Sequence, residues 1–107
     1  MLLVIVDSRF NLKKDDKDNL ESTITSSIIK YLRSLDKCFC WKEHGGMYGS
    51  AGIPDIICCY YGQFLAFEVK RRGNKPTKLQ EKTIAEIQAA GGQAYVVHSV
   101  DEVKEIL

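Results

Sequence analysis

Two short apolar runs joined by a tight turn constrain this chain more than any other feature. Pro54–Tyr60 and Gln63–Arg71 each read as a strand, and Tyr60-Tyr61-Gly62-Gln63 reads as the hairpin between them. Side chains alternate along a strand, so Leu65, Phe67 and Val69 share one face and Glu68 and Lys70 share the other. The apolar face needs cover from other elements.

The flanking sequence supplies that cover. Asp18-Asn19-Leu20-Glu21 fits a capping box. Leu20, Ile24, Ile28, Tyr31, Leu32 and Leu35 follow at helical spacing, so the pattern predicts a helix over about 19–35. Cys38–Lys42 reads as a short strand, and 44–52, with Gly45, Gly46, Gly49 and Gly52, as an irregular loop. A second helix is expected over Pro76–Ala90, with Pro76 near its first position and Thr77 contributing to its cap. Its stripe is Leu79, Thr83, Ile84, Ile87 and Ala90, and Gly91-Gly92 ends it. Ala94–Val97 is a strand. Ser99-Val100-Asp101-Glu102 is a capping box that opens a last helix burying Val100, Val103 and Leu107. The expected class is α/β, in the order α-β-β-β-α-β-α, with a small mixed sheet flanked by helices.

At 107 residues there is room for one domain, placed at 19–107, with 1–18 as an N-terminal extension. Within that extension 1–6 reads as a short strand and 7–18 as a polar loop. A hydrophobic share of 45% with 27% charged residues is globular composition, and a net charge of +1 excludes a histone-like polycation. The apolar run 1–6 is far below the roughly 20 residues of a membrane span. A soluble, cytoplasmic protein is expected, with neither a membrane nor a small-molecule cofactor as partner. Cys38, Cys40, Cys58 and Cys59 do not have zinc-ribbon spacing and read as reduced core thiols; Trp41 also reads as core.

Charged residues on an apolar hairpin call for a reason. With a Tyr61-Gly62 turn, Asp55 lies opposite Glu68; with a Gly62-Gln63 turn it faces Lys70. In either register these side chains share a face, and opposed Cβ atoms on paired strands are about 5 Å apart. Two carboxylates that close repel unless a cation or proton lies between them. Oxygen ligands suit Mg²⁺ or Mn²⁺ better than zinc. Glu21 falls nearly under Ile28 on the apolar stripe of the first helix, from where a carboxylate can reach the same site.

Pro54-Asp55 followed by Glu68-Val69-Lys70 resembles the PD-(D/E)XK nuclease signature. Glu21-Ser22, Gly49-x-x-Gly52-x-Pro54-Asp55, Thr77-x-x-Gln80 and Ala90-Gly91-Gly92 extend the resemblance to the virus-type replication-repair nuclease (VRR-NUC) domain, over about 20–107. The resemblance implies a restriction-endonuclease-like core and a Mg²⁺- or Mn²⁺-dependent DNA endonuclease. It further implies a short stand-alone member of phage or bacterial type, acting as a homodimer on branched, Holliday-junction-like DNA. The metal set would be Glu21, Asp55, Glu68 and the carbonyl of Val69. Lys70 would orient or deprotonate the attacking water, and Gln80 would position Lys70 or the substrate.

From Glu68 to Lys82 the basic residues Lys70, Arg71, Arg72, Lys75, Lys78 and Lys82 face only Glu68 and Glu81. Such a local excess beside a metal site suits a phosphate backbone. The glycine-rich loop and its approach add Lys42, His44, Tyr48 and Ser50 as DNA contacts; His98 reads as structural. The alternatives are a non-catalytic nucleic-acid-binding module and a monomeric nickase or flap nuclease.

Overall fold

A computed structural model describes residues 14–44 and 51–107, with side chains from Glu21 onward in the first helix. The expected strand at 1–6 and most of the glycine-rich loop, with Tyr48 and Ser50, lie outside the described residues.

The first helix, α1, spans Lys14–Arg33. It starts five residues before the expected position, and Asp18 lies inside it rather than capping it. The stretch 14–19 contains neither glycine nor proline, so nothing in it stops the helix from propagating toward the N-terminus. The expected boundary at 18/19 therefore falls within a continuous helix. At the other end, Ser34 N donates to Tyr31 O and Leu35 N to Leu32 O, each three residues back, which tightens the last turn. Lys37, at φ 58°, then reverses the chain into the sheet.

The sheet has the order β1-β2-β3-β4, formed by Cys38–Lys42, Ile56–Tyr60, Gln63–Val69 and Gln93–Val97. β1, β2 and β3 are antiparallel neighbours, and β4 is parallel to β3. Tyr60 pairs with Gln63 and Ile56 with Phe67, so the turn is Tyr61-Gly62. Both turn residues have positive φ, 50° and 78°, as the twist of a two-residue hairpin requires. Pro54 and Asp55 stay outside β2, although Asp55 O still accepts from Glu43 N at 2.7 Å. The parallel pair requires a crossover, which α2 (Lys78–Ala89) provides. A last helix, α3, covers Val100–Ile106. The order is α-β-β-β-α-β-α, as expected.

Two cores result. On one face α1 and α3 bury Ile28, Leu32, Ile56, Cys58, Leu65, Phe67, Val69, Val97 and Val103. On the other, Ile84 and Ile87 of α2 pack over Ile57, Ala66 and Ala94. This second core is small. Among the described residues it does not extend over β1: Trp41, expected in the core, is 43% exposed, and Phe39 and Cys59 are exposed on the same face. Leu79 of the expected α2 stripe is also largely exposed. All four cysteines are free, with Cys38 Sγ and Cys58 Sγ 3.4 Å apart on the α1 side. Among the described residues no helix is long and apolar enough to cross a membrane.

Candidate active site

Asp55 and Glu68 meet because of the hairpin register. One step beyond the Ile56–Phe67 pair, the Tyr61-Gly62 turn sets Asp55 against Glu68. Asp55 Oδ2 accepts from Val69 N at 2.8 Å, which fixes its carboxylate on the end of β3. The loop before it is held just as closely. Gly52 has φ +86°, and a Cβ there would sit 2.8 Å from Leu79 Cγ and 2.9 Å from Thr83 Oγ1. Only glycine fits that approach of loop to α2.

Glu68 is 2% exposed. Its Oε2 accepts from Gln80 Nε2 at 3.1 Å and lies 3.8 Å from Lys70 Nζ. Among the described residues its buried Oε1 has no hydrogen-bond partner. Burial, and then the Asp55 carboxylate, push the Glu68 carboxyl up to about 8, against the opposing pull of Lys70. This carboxyl therefore holds its proton to higher pH than an ordinary carboxyl does.

Gln80 has two tasks. It completes a capping box at α2, where Thr77 N donates to Gln80 Oε1 at 2.8 Å and Gln80 N donates to Thr77 Oγ1 at 3.2 Å. Its amide nitrogen then serves Glu68. A glutamate would fill the capping role equally well but offers no such donor and would add a third carboxylate. Thr77 is the N-cap, so Pro76 sits before the cap rather than in the first turn. This is also why α2 starts later than expected.

Glu21 is half-buried on α1, but not as a capping residue. Its Oε2 accepts from Arg71 N at 3.2 Å and from Asn74 Nδ2 at 3.3 Å, in the turn that leaves β3. It is near enough to Glu68 to add a small upward push on that carboxyl. Among the described residues no three His, Cys, Asp or Glu side chains form a ready metal cage. The Glu68 oxygen without a partner, beside a second carboxylate, is a hard-oxygen donor set whose chemistry fits Mg²⁺ or Mn²⁺.

The expected DNA-contact residues fall into separate groups. Arg71 is half-buried, and Arg72 pairs with Glu102 of α3 at 3.5 Å. Lys75, Lys78 and Lys82 are exposed on the turn and α2. Lys42 ends β1 on the α1 side of the sheet, the face opposite Glu68, and His44 is exposed just after it. His98 is structural, with Nδ1 3.2 Å from Glu102 Oε1. Glu102 also accepts from His98 N rather than from the cap residue Ser99, so only half of that capping box forms. Asn74 and Gly52 hold the site in place. Gly52 stood in the glycine pattern, whereas Asn74 gave no sequence signal, because its partner Glu21 is 53 residues away.

The four-stranded mixed sheet with this crossover is an α/β fold consistent with a restriction-endonuclease-like core. A solved structure described as "VRR_NUC domain" superposes with a TM-score of 0.68 at 21% identity, over 81% of this chain and 92% of that one. A second, described as "VRR_NUC domain protein", gives 0.61 at 20% identity, over 81% of this chain and 84% of that one. The chain thus has the fold of VRR_NUC domains. No family model and no curated protein matches the sequence.

Proposed function

We propose that this chain is a metal-dependent DNA endonuclease of the VRR-NUC type. The observation that carries the reading is Glu68, a nearly buried carboxyl with one orphaned oxygen, held between Asp55, Lys70 and Gln80. A structural role does not explain a buried acid that keeps one oxygen unsatisfied at a cost in stability. A metal-binding role does.

Asp55 and Glu68, with the Val69 carbonyl and Glu21 nearby, would hold Mg²⁺ or Mn²⁺. That ion would supply Lewis-acid stabilisation of the charge that builds on the phosphate and lower the pKa of a bound water. Asp55 is aimed by the Val69 N–H, so its carboxylate keeps one orientation. Glu68 would hold the ion in its deprotonated form, and Gln80, which donates to it, would keep that carboxylate turned inward. Lys70, 3.8 Å from Glu68, has a flexible stem long enough to swing to the scissile phosphate or the attacking water. Arg71, Lys75, Lys78 and Lys82 would take flanking phosphates. Cutting a four-way junction needs two symmetric incisions, and a C2 homodimer meets that need most simply.

The test is cleavage of plasmid, junction and flap DNA with and without Mg²⁺ or Mn²⁺. Metal-dependent cleavage lost in Asp55→Asn supports the reading. Binding without cleavage under every metal would favour a non-catalytic module.

A further inference from the structure

A groove of about 440 Å³ runs between α1 and the edge strand β1. It is lined by Ser26, Ile29, Lys30, Arg33 and Lys42. Three of the five are cations, and none is an acid. Among the described residues none of Lys30, Arg33 and Lys42 forms an ion pair. Ser26, Lys30 and Arg33 lie at helical spacings of four and three, so they form one exposed row on α1. Lys42 faces that row from β1. Three like charges around one groove repel each other, and an anion placed between them relieves that repulsion.

The row covers about 10 Å along the helix axis, at about 1.5 Å per residue. Through the backbone, the Lys42 end of the groove lies next to the strand end that carries Asp55. Lys42 pairs with Ile56, the residue next to Asp55, and Glu43 N bonds to Asp55 O. Yet it opens on the face of the sheet opposite Glu68. Resting on the nuclease reading above, we propose that this groove is a second phosphodiester-backbone site. It holds an arm of the substrate that leaves the cleavage site and passes round the β1 edge. A linear duplex short enough to end at the cleavage site does not reach it; a flap or junction does.

The full chain carrying Lys30→Glu with Arg33→Glu tests this. Binding of fluorescent four-way junction, flap and short linear duplex is titrated against salt by anisotropy. The wild type should prefer the branched forms. The variant should bind them at least tenfold more weakly, with the slope of log affinity on log salt smaller by about two. Short-duplex binding should change less than twofold. The charge-conserving pair Lys30→Arg with Arg33→Lys should restore branched binding, which separates lost charge from lost folding. Unchanged branched binding, or an equal loss on both DNA classes, would overturn the second site. If the wild type binds no DNA at all, the nuclease reading falls and the groove's role with it.

Discussion

Glu68 shows how one residue can be costly to the fold and necessary to the site. Its carboxyl is raised from an ordinary 4.5 to about 8, first by burial and then by Asp55. Below pH 4.5 the carboxyl is protonated in both folded and unfolded chains. As pH rises, the unfolded chain loses this proton while the folded chain keeps it, so stability falls until about pH 8 and then levels. Glu68→Gln does not titrate. It should therefore be more stable than wild type without metal, by a margin that grows from pH 4.5 to 8 to a few kcal/mol. Urea unfolding of both proteins across that range measures the margin; a margin independent of pH would remove the raised carboxyl from the account. Gln80→Glu makes a sharper case. It keeps the cap but replaces the donor to Glu68 with a like charge. Helix content should hold in circular dichroism, while cleavage falls about a hundredfold. Full activity would make Gln80 a cap and nothing more. That Asp55, Glu68 and Lys70 belong together was legible from strand alternation and the proline. That Glu68 is buried with one unsatisfied oxygen was not, because burial depends on α2 and β4, which pack from far along the chain.

At the scale of elements, the order and type of every described helix and strand were legible, and the ends of β1 and the cap of α3 as well, whereas the starts of α1, α2 and β2 were not. The hairpin left two registers open, and the backbone decided between them: Tyr61 and Gly62 both adopt positive φ. Helix α1 ran past its apparent cap because nothing in 14–19 breaks a helix. Trp41 and Cys59 read as core because apolar strands suggest two covered faces, yet α2 packs over β2, β3 and β4 and Trp41 and Cys59 stay exposed. The contact between the 51–55 loop and α2 yields a prediction. Gly52→Ala puts a Cβ against Leu79 and Thr83 at a left-handed backbone position. It should cost about 1–3 kcal/mol in thermal unfolding and lower cleavage by displacing Asp55. A variant with wild-type stability and activity would show that the loop is free to shift.

For the whole molecule, one sheet carries two unlike faces. One is packed by α1 and α3, and the other is half covered and holds the acids at its end. One such site reaches one scissile phosphate, which is why we expect a homodimer. Light scattering at micromolar concentration should give twice the chain mass, and deletion of residues 1–10 should weaken the dimer. A monomer throughout would favour a nickase or flap nuclease. The account turns on whether Asp55 and Glu68 hold a catalytic cation. Cleavage of junction DNA by wild type, Asp55→Asn and Glu68→Gln, in Mg²⁺ or Mn²⁺ and in a chelator, tests this most directly. Wild type should cut only with metal, and each variant should lose roughly 10²–10³-fold or more in rate while still binding DNA. Metal-independent cutting, or either variant cutting at the wild-type rate, would contradict it.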